Sequence, residues 1–185
     1  MNEQTLILVK PDGVERKLTG EIVCRFENSG LKIVALKMLR SNRTLAEKHY
    51  PKTKGQLVGM GNKTLKATLE KYGNLEKVKK IFRTENPYEI GKTLRKWMIN
   101  FLISGPVVAF VLEGEKAIKK SREISGYTDP IKAKKGTIRG DFENDSIARA
   151  NKERRAVKNL VHASGSLEEA KRETKLWFKK NEFFD

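Results

Sequence analysis

The chain holds 185 residues with a formal net charge of +16, a size that suits one domain, or one domain with a large insertion, and leaves room for a real core. Leu, Ile, Val and Phe supply 48 residues, too many for a disordered chain, and the longest apolar run, 107–112, is too short to cross a bilayer. The excess positive charge points to anionic partners: nucleotides, nucleic acid or an acidic surface.

The first expected strand is TLILVK (5–10), β-branched and apolar. The residues before it form no basic-then-apolar leader, so a cytoplasmic protein is expected. VKPDGV (9–14) sets Lys10 just before a turn with Pro11 second and Gly13 fourth. GEIVCRFENSG (20–30) reads as a helix with Ile22, Val23 and Phe26 on one face, closing on Gly30. Cys24, the sole cysteine, is expected to pack in that apolar stripe without a disulfide, and two histidines give no zinc constellation. A second strand follows at 31–39, then a helix whose Thr44-Leu-Ala-Glu47 has the spacing of a reciprocal capping box.

Residues 51–103 carry 12 basic and 4 acidic side chains and look like an addition to this plan. TLKATLEKYGNLEKVKKIF is helix-like with a break at Gly73. Asn86-Pro87-Tyr88-Glu89 then starts a helix that lines up Ile90, Leu94, Trp97, Phe101 and Leu102. That stripe needs a cover, so a helical hairpin is expected. GMGNKT (59–64) fails as a phosphate loop, since Asn62 rather than glycine precedes the lysine; Thr64 stands where a dinucleotide fingerprint ends in glycine.

The third strand is GPVVAFVLEG (105–114). SREISGYTDP (121–130) then offers Arg122 and Thr128 around a glycine, and KKGTIRGDF (134–142) offers Arg139 between glycines. Residues 132–158 hold nine basic and four acidic side chains. The fourth strand, NLVHAS (159–164), bears His162, and Ser166-Leu-Glu-Glu169 has capping-box spacing at the start of a helix reaching about Phe178. This order is that of an α+β ferredoxin-like split βαβ sandwich, an antiparallel sheet covered on one face by helices, here with a helical insertion.

Taken singly, these motifs have ordinary readings: KPDG is a turn, Arg122 a solvated helix charge, Arg139 a loop cation, His162 a strand-end side chain. Together and in this order, VKPDGV, GEIVCRFENSG, SGPVVAFVLEG, the TDP turn, GTIRGDF, NLVHASGS and KLWF resemble the nucleoside diphosphate kinase family. The resemblance covers most of the chain. A single domain over 1–185 is expected, with a helical insertion at about 51–86 and a short one at about 143–156.

The resemblance implies transfer of the γ-phosphoryl group of a nucleoside triphosphate, typically ATP, to a nucleoside diphosphate through a phosphohistidine on His162, balancing nucleotide pools with broad base and sugar tolerance. Glu173 matches the family's glutamate behind the histidine, and Ser164 the hydroxyl that steadies the pair. Lys10, Arg122 and Arg139 would face the phosphates, with hydroxyls from Tyr50 and Thr128 and an amide from Asn159. Mg²⁺ would arrive on the nucleotide phosphates rather than on protein ligands. His49 takes a supporting or surface role. The family forms hexamers or, less often, tetramers, so a homo-oligomer is expected, without a membrane partner; the basic insertions leave room for nucleic acid. Two positions depart from the pattern: Leu94 falls where a phenylalanine commonly stacks on the base, and Gly165 replaces an acidic residue after the serine.

Two other readings compete. An RNA-binding module on the same sandwich would carry an aromatic and basic signature on a central strand, and none of the strands has one. A regulatory protein with a degenerate site would not be expected to keep His162 together with the phosphate-facing cations.

Overall fold

The computed structural model describes residues 2–142 and 145–184. They form two compact units: unit 1 comprises 1–41, 104–144 and 159–185, and unit 2 comprises 42–103 and 145–158. In chain order the elements are β1 (Asn2–Val9), α1 (Pro11–Glu15), α2 (Thr19–Glu27), β2 (Lys32–Arg40), α3 (Arg43–His49), α4 (Lys54–Tyr72), α5 (Glu76–Phe82) and α6 (Pro87–Leu102). After these come β3 (Pro106–Glu115), α7 (Ala117–Ser125), α8 (Ile138–Phe142), α9 (Ile147–Lys152), β4 (Val161–Ala163) and α10 (Leu167–Trp177).

In unit 1 the strands form a sheet in the order β2-β3-β1-β4, with every neighbouring pair antiparallel. This is the ferredoxin-like arrangement expected from the element order. Ile7 pairs with Phe110 and Val9 with Val108, and these side chains meet Ile22 and Phe26 of α2 in one core. Phe26 meets Phe110 edge to face, ring centroids 5.5 Å apart, the geometry that aromatic quadrupoles favour. Leu6 and Leu8, which pleat to the opposite side, are equally buried. β1, an inner strand, is therefore covered on both faces, whereas the element order suggested a cover of helices on one.

The stripe on α2 also needs correcting. Ile22 and Phe26 face inward, one turn apart, while Cys24 stands two residues from each, about 200° around the helix, and is exposed. It does not pack.

Unit 2 is helical among its described residues. Asn42, not Thr44, caps α3: its Oδ1 accepts the Leu45 amide at 2.8 Å. α4 starts earlier than the sequence pattern suggested, so GMGNKT lies inside a helix. Its Gly61 serves packing. A Cβ there would lie 2.0 Å from the Pro87 carbonyl oxygen, and one on Gly91 would lie 2.0 Å from that of Leu57. These two glycines let α4 and α6 cross backbone to backbone. α4 ends on left-handed Gly73, the expected break. Asn86 caps α6, accepting the Tyr88 amide at 2.9 Å. Ile90, Ile99 and Leu102 are buried on α6, while Leu94, Trp97 and Phe101 are only half-buried, so the inward stripe runs beside the expected one, through Gly91.

α9 falls in the second stretch expected to be an insertion, whose residues 143 and 144 lie outside the described residues. There Arg155 grips Asp145 with two bonds of 2.6 and 3.0 Å. Part of the positive charge counted in this stretch is thus internally paired.

Gly61→Ala is expected to destabilise the protein by about 3 kcal/mol, because the clash is with backbone rather than with a side chain that can swing aside. Urea unfolding checks this; an unchanged midpoint would show that the helices can separate freely.

Candidate functional site

The site in unit 1 grows from a strained turn. Leu160 sits at φ +63°, a conformation that costs a branched residue about 1 kcal/mol. Three bonds hold it there. Its amide donates to Asp12 Oδ2 at 3.1 Å, its carbonyl accepts the Lys10 amide at 2.7 Å, and the Val161 amide closes back on the Asn159 carbonyl at 2.7 Å. This is the rarer, positive-φ form of the γ-turn. Asp12 was not among the expected site residues; the sequence signal for it is only the aspartate of an ordinary PDG turn.

Arg139, expected as a loop cation, stands on the short helix α8, buried. Its guanidinium spans the turn, donating from Nε to the Asn159 carbonyl at 3.1 Å and from Nη2 to that of Val161 at 2.7 Å. Nη1 reaches the Gly126 carbonyl at 2.7 Å. Arg139 thereby ties the strand bearing His162 to the loop after α7.

Lys10 extends from the end of β1 and is also buried. Its Nζ donates to Asn159 Oδ1 at 2.6 Å, and Asn159 Nδ2 donates to the Thr128 carbonyl at 3.0 Å. Burial first, and then the charge of Arg139, lower the Lys10 pKa from 10.5 to about 8, with Asp12 opposing. Arg139 is lowered likewise, to about 10, by burial and by Arg122. Lys10, Arg139 and Arg122 thus repel one another in sequence, a chain of cations that a polyanion would relieve. Arg122 and Thr128 are exposed.

His162 pairs with Leu8 across the β1–β4 ladder. Its Nε2 lies 2.7 Å from Glu173 Oε2, with side-chain exposures of 17% and 1%. The same oxygen accepts the Ser164 hydroxyl at 2.7 Å. The other oxygen, Oε1, accepts from Arg172 Nη2 at 3.1 Å. An ionised carboxylate has no hydrogen to give, so the ring proton belongs on Nε2 and the lone pair on Nδ1. Sequence alone would have left Glu173 as a surface helix charge.

Gly165, at the helix start, is closely approached by two charged side chains. A Cβ there would meet Glu169 Oε2 at 2.7 Å and Arg122 Nη1 at 3.1 Å. The Glu169 carboxylate accepts the Gly165 amide at 2.6 Å, while the Ser166 hydroxyl accepts the Glu169 amide at 3.2 Å. The expected capping box therefore forms with its return bond one residue upstream, and a carboxylate one turn along occupies the neighbourhood of residue 165.

Lys10, Arg122, Thr128, Arg139, Asn159, His162, Ser164 and Glu173 all belong to unit 1. Tyr50 and Leu94 belong to unit 2. There Tyr50 is buried at the end of α3, its ring 4.6 Å from that of His49 and its carbonyl accepting from Arg95 Nε at 2.6 Å. Leu94 is half-buried on α6.

The family model for nucleoside diphosphate kinase matches residues 3–59 and 74–183, leaving out 60–73 within the helical stretch expected as an addition. A nucleoside diphosphate kinase of Pyrobaculum aerophilum is 43% identical over 99% of this chain and 98% of its own length. One from Methanocaldococcus jannaschii is 37% identical over 100% and 99%. Among solved structures, an NDP kinase from Pyrobaculum aerophilum superposes with a TM-score of 0.93 at 40% identity, each chain fully covered. A transition-state mimic of the Borrelia burgdorferi nucleoside-diphosphate kinase, with bound vanadate and ADP, gives 0.77 at 36% identity, covering 100% of this chain and 91% of that one.

In the unliganded protein Lys10 is expected to lose its proton on passing upward through about pH 8. A bound polyphosphate should favour the charged form and raise that value, so anion affinity should fall as the pH climbs above it. ¹³C NMR of the lysine side chains, assigned with Lys10→Gln, reads both. A Lys10 that titrates with the exposed lysines near the ordinary value would contradict the buried cation chain.

Proposed function

The chain belongs to the nucleoside diphosphate kinase family, and we propose that in it His162 is the residue that carries the phosphoryl group. The enzyme moves the γ-phosphoryl group of a nucleoside triphosphate onto a nucleoside diphosphate in two half-reactions. In the first, Nδ1 of His162 attacks the γ-phosphorus. The bond to the bridging oxygen breaks, the diphosphate leaves with that electron pair, and an N–P bond forms. In the second, a terminal oxygen of the incoming diphosphate attacks the phosphorus and the N–P electron pair returns to the ring. The observation that carries this reading is the 2.7 Å contact between His162 Nε2 and the buried Glu173 carboxylate. It aims one nitrogen at the carboxylate, leaves the other basic, and places a negative charge behind a ring that turns positive as it attacks.

Lys10, Arg122 and Arg139 act on the phosphate charge. Arg139 has three of its donors on backbone carbonyls, so it serves chiefly as a fixed positive charge. Thr128 and Tyr50 supply hydroxyls, Asn159 an amide for sugar or phosphate, Ser164 the second hydrogen bond on Glu173, and Leu94 an apolar cover for the base. Contacts of this kind address phosphate and ribose rather than base edges, which gives broad base and sugar tolerance and suits an enzyme that balances nucleotide pools. The donors in unit 1 are mainly cations, an amide and hydroxyls, so Mg²⁺ enters as part of the nucleotide substrate, held by phosphate oxygens and water. The active protein is a cytoplasmic homo-oligomer, a hexamer or a tetramer. None of the described helices is long and apolar enough to cross a membrane. The basic surface of unit 2 leaves nucleic acid as a second partner.

Incubation with γ-labelled ATP and Mg²⁺ is expected to leave an acid-labile, base-stable label on the native protein, discharged by added GDP. In His162→Ala the label should be absent and kcat lower by at least about 10⁴-fold. A labelled His162→Ala protein, or an unlabelled native one, would overturn the assignment.

A further inference from the structure

Arg172 precedes Glu173 on α10, and consecutive helical residues do not normally face each other. The usual partner for an arginine here is the residue one turn back, and Glu169 does lie within reach, with Arg172 Nη2 3.9 Å from its Oε1. Yet the same Nη2 comes closer, to 3.1 Å, to Oε1 of Glu173. The side chain, 36% exposed, thus reaches past the ordinary solvated pairing to a nearer carboxylate that is 1% exposed. That carboxylate is the one holding His162 and Ser164 on its other oxygen. Glu169 in turn accepts the Gly165 amide, beside the space that Arg122 Nη1 approaches. One arginine therefore stands between the carboxylate behind the histidine and the carboxylate beside a phosphate-facing cation.

We propose that Arg172 is a positioning residue for phosphoryl transfer: by gripping the outer oxygen of Glu173 it fixes the plane of the carboxylate, so that the inner oxygen stays directed at His162 Nε2 and Ser164. A carboxylate can rotate about its last torsion, which is soft and broad. A charge-assisted bond on one oxygen limits that rotation and orients the other. Arg172 also supplies positive charge beside a buried anion, which reduces the cost of keeping Glu173 ionised. With the carboxylate fixed, the ring proton stays on Nε2 and Nδ1 stays in line with the phosphorus. In this role Arg172 works through Glu173, so its loss is expected in the chemical step and not in substrate binding. This inference rests on His162 being the phosphoryl carrier.

Arg172→Met and Arg172→Lys test it, with circular dichroism and thermal melting to establish that both fold. Arg172→Met is expected to lower kcat about tenfold with KM for the diphosphate unchanged, the size that follows from losing a charge-assisted bond that solvent partly screens. Arg172→Lys should recover most of the rate, since an ammonium can reach the same oxygen. ¹⁵N NMR of His162 gives a reading independent of turnover: the proton is on Nε2 in the native protein and shared between the two nitrogens in Arg172→Met. Unchanged kcat and an unchanged tautomer in Arg172→Met would overturn the proposal, as would a loss expressed only in KM. Failure of the native protein to label on His162 would sink the carrier assignment, and the tautomer reading would still decide whether Arg172 orients the pair.

Discussion

Glu173 is a carboxylate taken almost wholly out of water inside a strongly basic protein, and the rest of the site follows from what that burial requires. A buried anion is tolerable only where donors surround it. Here they are the imidazole of His162, the hydroxyl of Ser164 and the guanidinium of Arg172. Satisfying the carboxylate determines which ring nitrogen carries a proton and which keeps its lone pair. The same interaction that makes the buried charge tolerable thus gives the ring a defined direction, which is what the proposed phosphoryl carrier requires.

Holding the ring still takes a second set of restraints, and these are backbone interactions. β4 spans only three residues, too short to fix itself by ladder bonds. The γ-turn at Leu160 anchors it instead, with Asp12 on the turn's amide and Arg139 on its flanking carbonyls. Arg139 and Lys10 are both buried and both made less basic, first by that burial and then by a neighbouring cation, Arg139 acting on Lys10 and Arg122 on Arg139. Such an arrangement concentrates positive charge whose mutual repulsion a bound polyanion would relieve. Fixed charges that need no rearrangement when the phosphoryl group moves are the efficient means of stabilising its transfer.

Much of this was legible in the sequence because the informative residues are local. The four strands lie within a few residues of the apolar runs that announced them, and Asn86, Gly73 and Ser166 cap or end helices as their chemistry suggests. The failures share a cause. The apolar run suggests an inward Cys24, but helical rotation carries it away from Ile22 and Phe26. Thr44 lost the cap to Asn42, a stronger acceptor two residues earlier. Gly61 sits in a run that resembles a phosphate loop and Gly91 within an expected helix, and only the α4–α6 crossing shows what the two accommodate. Asp12 and Arg172 could not be found at all: their partners lie 148 residues away in one case and on an adjacent helical position in the other, a spacing that helical geometry normally rules out. Glu173 was found only by family resemblance, since no local pattern separates it from the exposed glutamates of the same helix.

In the proposed reaction one hydrogen bond selects the attacking nitrogen, and ³¹P and ¹⁵N NMR of the phosphorylated enzyme reads that choice, because coupling between the two nuclei identifies the nitrogen bonded to phosphorus. With Nε2 donating to Glu173, the phosphorus must be attached to Nδ1. Attachment at Nε2 would mean that the ring turns away from the carboxylate to react, and the account given for Glu173 would fail.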